Sequence, residues 1–89
     1  MKHNEITEKI IGAAFEVHKF LGKGFQEVIY QRALAYEFNQ VNLEYIREFE
    51  MDIFYKKLKD PIGRRRVDFL VKHQVLVELK AVKTIEMHT

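Results

Sequence analysis

Two runs in the second half of the chain alternate apolar and polar residues, and this alternation constrains the fold more than any other feature. Side chains along a β-strand point alternately to the two faces of a sheet, so the apolar residues of each run share one face. They are Val67, Phe69 and Val71 in the first run, and Val75, Val77, Leu79 and Ala81 in the second. The pattern predicts two strands, from Arg64 to Val71 and from Val75 to Val82, that pair as an antiparallel hairpin.

The same alternation predicts the register of this hairpin. If both apolar faces are buried on one side, the numbers of opposed residues must sum to an even value, as when Asp68 lies opposite Glu78. A slip by one residue would turn every side chain of one strand to the other face. The segment 73–74 is His-Gln and lacks the Asn-Gly or Gly-X sequence of tight two-residue turns, so a three-residue connection over 72–74 is favoured. We expect this register to gather Asp68, Glu78 and Lys80 on one face.

Asp68, Glu78 and Lys80 are the residue types that a metal-dependent phosphodiester hydrolase needs. Carboxylate oxygens bind hard cations such as Mg²⁺ or Mn²⁺, and a lysine places positive charge beside the attacked phosphate. The same three residues also fit a solvated sheet face with a cross-strand ion pair, worth under about 1 kcal/mol. The pattern alone leaves both interpretations open.

Upstream of these strands, apolar residues recur at helical spacing in two segments, about Asn4 to Leu21 and about Gln26 to Val41, and Gly22 can end the first. From Tyr45 to Tyr55 the spacing changes to period two, which predicts a strand with one buried face. The residues after Val82 are too few for a further complete element. The predicted class is α+β: two N-terminal helices followed by a three-stranded antiparallel sheet, in the order α-α-β-β-β.

The amino-acid composition excludes several kinds of catalytic and metal-binding residue. The chain has 89 residues, which we interpret as one small domain over residues 1–89, and it has no cysteine and no serine. Disulfides, thiolate zinc sites and serine or cysteine nucleophiles are therefore excluded, which leaves activated water as the favoured nucleophile. The four histidines show no zinc-binding spacing, and we expect His18 to pack in the core.

Targeting signals are missing from the sequence. The first residues, Met-Lys-His-Asn, do not begin an apolar signal segment, and no run approaches the roughly 20 apolar residues that span a bilayer. We therefore expect a cytoplasmic protein without a membrane partner.

Pro61 and Gly63 predict a turn over residues 59–63. Six basic residues lie in or beside it: Lys56, Lys57, Lys59, Arg64, Arg65 and Arg66. Such a cluster can hold backbone phosphates, which makes Lys57, Arg64, Arg65 and Arg66 candidate nucleic-acid contacts. It also fits the solvated end of a hairpin. No base-reading helix or aromatic stacking motif is recognisable, so the choice between DNA and RNA stays open.

Four segments together resemble a known family. Residues 24–30, Gly-Phe-Gln-Glu-Val-Ile-Tyr, read as the G-x-x-E-x-x-Y signature, and residues 11–22 resemble the helix and glycine loop that precede it in the bacterial GxxExxY proteins. Residues 67–71 and 77–82 resemble the second and third strands of the same family. The likeness extends over nearly the whole chain.

The GxxExxY family is classed with the PD-(D/E)XK nuclease superfamily, whose members use an Asp and an acidic-x-Lys to bind magnesium and cut nucleic acid. The resemblance implies that Asp68 and Glu78 are metal ligands for Mg²⁺ or Mn²⁺. It implies that Lys80 stabilises the attacking hydroxide or the transition state, and that Glu27 joins the site.

The sequence departs from the family at two places. Val67 stands where the superfamily usually has a proline, and the chain ends at Thr89 where family members continue into another helix and strand. We therefore expect a truncated PD-(D/E)XK core whose third strand has an uncovered apolar edge, and hence a homo-oligomer.

Three functions are compatible with this sequence. The first is a magnesium-dependent, nuclease-like phosphodiesterase acting on nucleic acid. The second is a non-catalytic dimerising or regulatory module that keeps the nuclease-like fold. The third is a remnant with neither role.

Overall fold

The computed structural model of the chain describes residues 4–80 and 84–88. Two helices, α1 (Glu5–Leu21) and α2 (Glu27–Gln40), precede four strands, β1 (Tyr45–Ile53), β2 (Gly63–Val71), β3 (Val75–Lys80) and β4 (Thr84–His88). The strands form one antiparallel sheet in the order β1-β2-β3-β4. The predicted α+β class, two helices followed by an antiparallel sheet, is confirmed, although the sheet has one strand more than expected.

Local interactions explain where α1 begins and ends. The Asn4 side-chain oxygen Oδ1 accepts the N–H of Thr7 at 2.9 Å, which satisfies one of the unpaired donors of the first turn. Gly22 follows the helix with φ 69°, a left-handed conformation that glycine adopts readily. The predicted bounds of both helices agree with the structure to within one residue.

The core lies between the two helices and one face of the sheet. Phe38 of α2 packs edge-on against Phe69 of β2, with ring centroids 5.1 Å apart, and Tyr45 of β1 lies 5.5 Å from Phe69. The expectation that His18 belongs to this core is wrong, since its side chain is exposed. Successive residues of a helix are about 100° apart, so a residue that follows the buried Val17 turns away from the core.

The predicted register between β2 and β3 is confirmed. Phe69 lies opposite Val77 and Val71 lies opposite Val75, so the opposed numbers have an even sum. The connection has three residues, as expected, and Lys72 and His73 within it have φ values of 54° and 57°.

Strand β4 corrects two expectations. It pairs with the far side of β3, where Glu78 lies opposite Glu86, so the residues after Val82 do form a further element. The uncovered edge expected for β3 is therefore wrong, because β4 takes up hydrogen-bonding groups that β3 would otherwise leave free. The predicted last two residues of β3, Ala81 and Val82, lie outside the described residues.

The outer half of the β1–β2 hairpin is exposed. Every residue from Asp52 to Arg66 is exposed, and β1 ends at Ile53, two residues before the predicted Tyr55. Ile53 and Tyr55, expected on a buried face, expose 41% and 52% of their surface. No helix of the described ranges is long and apolar enough to cross a membrane.

Candidate functional site

Asp68 lies in β2 between Val67 and Phe69, both of which are buried. Its carboxylate accepts two hydrogen bonds, one from Nε2 of Gln31 to Oδ1 at 2.9 Å and one from the backbone N–H of Leu79 to Oδ2 at 2.7 Å. The side chain of Asp68 therefore joins helix α2 to strand β3. Two donors on two different elements fix the orientation of this carboxylate.

The backbone ladder of the sheet is interrupted at Asp68. Toward β1, Arg47 pairs with Phe69 and Phe49 pairs with Val67, but Glu48 and Asp68 between them are unpaired. Glu48 has φ 53°, in the left-handed region that is costly for a side-chain-bearing residue. The register is the same on both sides of this interruption, so no residue is inserted, and the positive φ of Glu48 is local backbone strain of a kind that clusters at functional sites.

Gln31 is a residue of this site that the sequence interpretation missed. It is only 5% exposed, and its Oε1 accepts a 2.6 Å hydrogen bond from the Arg47 guanidinium while its Nε2 donates to Asp68. A polar chain thus runs from Arg47 through Gln31 and Asp68 to Leu79. The available signal was a glutamine three residues before Leu34 and seven before Phe38, on the side of the predicted helix that apolar spacing turns inward.

Glu27 is the first residue of α2 and is exposed. It precedes Gln31 by four residues, so it lies one turn away on the same side of the helix that reaches Asp68. The start of α2 is held by Tyr30, whose hydroxyl donates to the Gly22 carbonyl at 2.6 Å and accepts the N–H of Phe25 at 3.3 Å. The Tyr of the G-x-x-E-x-x-Y segment therefore anchors the loop that leads to the Glu.

Glu78 and Lys80, on β3, are engaged by oppositely charged neighbours. The Glu78 side chain is 15% exposed and accepts a hydrogen bond from the Arg65 guanidinium. Lys80 Nζ lies 3.9 Å from Oε1 of Glu86. The structure therefore places Asp68 next to the backbone between Glu78 and Lys80, but the two carboxylates bond to different partners.

Strand β4 adds two residues beside Glu78. His88 Nε2 lies 3.9 Å from Glu78 Oε1 and 3.6 Å from Glu86 Oε1. Potential ligand atoms of these three residues all lie within 4.8 Å of one another, and within the described ranges no other group of three or more histidines and acids is so close. Sequence reasoning missed Glu86 and His88 because it predicted no strand there.

The predicted phosphate contacts differ in their surroundings. The Arg64 guanidinium forms two exposed ion pairs. Its Nη2 lies 3.4 Å from Oε1 of Glu50, and its Nε lies 3.2 Å from Oδ1 of Asp52. Lys57 and Arg66 have no ion-pair partner among the residues that the structure describes. Exposed ion pairs contribute about 0–1 kcal/mol, so they exchange readily for a phosphate.

The oxygen ligands near Asp68 suit a hard divalent cation. Asp68 and Glu78 supply carboxylate oxygens, the ligand type that Mg²⁺ and Mn²⁺ prefer. Each oxygen of Asp68 accepts one hydrogen bond and keeps a second lone pair available. The residues present therefore fit a metal site in which Gln31 and the Leu79 N–H orient one ligand.

Comparison with known families identifies the class of this protein. A family model described as the PD-(D/E)XK nuclease superfamily matches residues 4–89. The chain therefore belongs to the PD-(D/E)XK nuclease superfamily, whose nucleases typically use divalent metals. No curated protein and no solved structure matches the chain.

Proposed function

We propose that this protein is a divalent-metal-dependent, nuclease-like phosphodiesterase that acts on nucleic acid, and that it is a GxxExxY member of its superfamily. The observation that supports the proposal is the Asp68 carboxylate, which Gln31 and the Leu79 N–H hold at the β3 backbone between Glu78 and Lys80. A carboxylate held by two donors is preorganised, which lowers the cost of ordering it around a cation.

Each residue of the site has a specific role in this proposal. Asp68 and Glu78 would hold Mg²⁺ or Mn²⁺, which when bound would supply polarisation of the phosphate and a lowered pKa of the attacking water. Lys80 places a positive charge where negative charge develops on the phosphate. Glu27 joins the site from the start of α2, and Gln31 keeps Asp68 in its orientation.

Arg65 must move for Glu78 to bind a cation. Its guanidinium currently contacts Glu78, and its side chain is 45% exposed, so it can leave without disturbing the core. Once released, Arg65 is available to a backbone phosphate together with Lys57, Arg64 and Arg66. Loading of the metal and contact with the substrate would then be coupled through one arginine.

A second function is favoured by the charge pairing at the site. Glu78 and Lys80 already have oppositely charged partners in Arg65 and Glu86, as expected for a sheet face without a ligand. This pairing supports a non-catalytic, dimerising or regulatory module with the nuclease-like fold. Dimerisation is part of this second proposal, but an uncovered edge of β3 does not support it, because β4 pairs with that edge.

Isothermal titration calorimetry with Mn²⁺ and Mg²⁺ tests the two functions. We expect binding that is lost in Asp68→Asn and in Glu78→Gln, and that is retained in Glu86→Gln. Loss in Glu86→Gln with retention in Asp68→Asn would instead assign any metal to the group formed with His88. No binding to the unmodified protein would favour the non-catalytic module.

An oligonucleotide cleavage assay is the second test of the proposed phosphodiesterase. Labelled single-stranded and duplex oligonucleotides of DNA and RNA are incubated with the protein and Mg²⁺, with EDTA as the control. We expect cleavage that requires the metal and disappears in Asp68→Asn. Cleavage that survives EDTA would contradict the proposal.

A further inference from the structure

The hairpin tip, which we define as residues 53–66, combines exposed apolar and basic side chains. Its large apolar residues are 41% to 58% exposed: Ile53, Phe54, Tyr55, Leu58 and Ile62. The same segment contains six basic residues and one acidic residue. An apolar surface of this kind inside a positively charged segment indicates a binding surface rather than an unfinished core.

Two aromatic residues are adjacent in sequence on this tip. Phe54 and Tyr55 are 58% and 52% exposed, and Lys56 Nζ lies 5.2 Å from the centroid of the Tyr55 ring. Neither ring packs against another ring among the described residues. The Phe54 ring is therefore accessible to a planar ligand group, and the Tyr55 ring becomes so on the face that Lys56 leaves open.

Only some of the basic side chains of the tip form ion pairs with described residues. Lys57, Lys59 and Arg66 have no ion-pair partner within the described part of the chain, whereas Arg64 and Arg65 are paired with acidic side chains. Exposed rings close in sequence to unpaired cations suit a ligand that combines planar groups with negative charges. A single strand of nucleic acid has this structure.

The tip is also continuous with the candidate site. Strand β2 leads from Arg64 to Asp68, four residues later in the sequence. An extended strand of that length covers about 14 Å. A nucleic-acid strand held at Asp68 and Glu78 would thus pass Arg66 and reach the tip.

We propose that the hairpin tip binds single-stranded nucleic acid, with bases stacked on Phe54 and Tyr55 and phosphates held by Lys57, Lys59 and Arg66. The inference rests on the proposed function and specifies the form of its substrate. Bases in a duplex are stacked on each other, so their faces are closed to protein rings, whereas every unpaired base has an accessible face. The tip therefore discriminates by strandedness and not by sequence.

Fluorescence anisotropy tests this proposal directly. A labelled oligothymidylate and a duplex of the same length are titrated with the protein in EDTA, so that no cleavage occurs. We expect tighter binding of the single strand. The double variant Phe54→Ala/Tyr55→Ala should weaken that binding about tenfold or more, since stacking contributes about 1–3 kcal/mol per base.

One matched variant controls for the loss of exposed rings, and a second variant tests the contribution of charge. Phe15 and Phe20 of α1 are 69% and 90% exposed, and Phe15→Ala/Phe20→Ala should leave binding unchanged. Lys57→Ala/Lys59→Ala should lower the slope of log affinity against log salt by about 0.7 for each lost phosphate contact. Circular dichroism verifies that each variant remains folded, as expected for changes at exposed positions.

Several outcomes would overturn the proposal. These are equal or tighter binding of the duplex, no effect of the Phe54/Tyr55 variant, and binding to vesicles of anionic lipid without binding to the oligonucleotide. Concentration-dependent self-association that Phe54→Ala/Tyr55→Ala abolishes, without oligonucleotide binding, would assign the tip to a second copy of the chain instead.

The experiment separates this inference from the proposed function. Binding of the single strand is measured in EDTA, so it is expected whether or not the protein holds a metal. Single-strand binding without any metal binding would contradict the phosphodiesterase and leave the tip proposal standing. Metal-dependent cleavage that is indifferent to Phe54 and Tyr55 would contradict the tip proposal alone.

Discussion

The two halves of strand β2 differ both in sequence pattern and in environment. Val67, Phe69 and Val71, in the inner half, are 0–1% exposed, whereas every residue of the outer half from Gly63 to Arg66 is exposed. The inner half is covered by the helices, and α2 also supplies Gln31 to Asp68. The difference teaches that a single strand can carry the candidate site in its covered half and part of the exposed hairpin tip in the other half.

The largest expected effect is on the stability of the inner half. Phe69→Ala removes a fully buried ring that contacts Phe38 and Tyr45, and we expect a loss of about 3–5 kcal/mol in the free energy of unfolding. Phe54→Ala, in the exposed hairpin tip next to the outer half, is the matched control and should change stability by less than about 0.5 kcal/mol. Urea denaturation measures both, and similar losses would abolish the contrast between the two halves.

The next largest effect concerns catalysis. If Lys80 stabilises charge on the phosphate, Lys80→Ala should lower the cleavage rate on the order of 10²- to 10³-fold. Its exposed pair with Glu86 contributes little, so the unfolding free energy should stay within about 0.5 kcal/mol. Lys19→Ala, which removes another lysine from an exposed ion pair, should leave the rate intact. An unchanged rate for Lys80→Ala would contradict the assigned role.

Gln31→Leu should have an intermediate effect on metal affinity. It leaves Oδ1 of Asp68 without its donor and removes the partner of Arg47, and loss of an orienting residue typically weakens metal binding about 10–100-fold. Gln40→Leu, at the exposed end of the same helix, is the control. Manganese titration by calorimetry measures the change. Unaltered affinity in folded Gln31→Leu protein would show that Asp68 needs no support from α2.

Arg65→Ala has the smallest expected effect, and it should raise metal affinity where the other changes lower an activity, an affinity or a stability. Removing the guanidinium frees Glu78, and because the pair is worth about 1 kcal/mol or less, metal affinity should rise no more than about fivefold. Arg66→Ala, which breaks no ion pair of the described residues, should leave metal affinity unchanged. Weaker binding in Arg65→Ala than in Arg66→Ala would exclude competition between Arg65 and the metal for Glu78.

Local sequence was sufficient for most of the fold. The bounds of α1 and α2, the even register of β2 and β3, and the three-residue connection between them follow from spacing within a few neighbouring residues. Strand β4 was missed because five residues carry little pattern of their own. Its pairing depends on the hydrogen-bonding groups that β3 offers.

The candidate site was predictable only in part. Spacing identified Asp68, Glu78 and Lys80 as chemically suitable, and the family resemblance added Glu27. Spacing did not indicate that Gln31 donates to Asp68, since the two residues are 37 positions apart in sequence. Nor did it indicate that Arg65 and His88 lie beside Glu78.

The sequence by itself determined which side chains share a face, because helical and strand periods are properties of the local backbone. Only the tertiary structure decided which faces are covered, and therefore why Phe69 is buried whereas Phe54 and Tyr55 are exposed. It also decided the partner of each polar group. The physical reason is that periodicity encodes the direction of a side chain from its own backbone, whereas burial and hydrogen bonding depend on what other elements place opposite it.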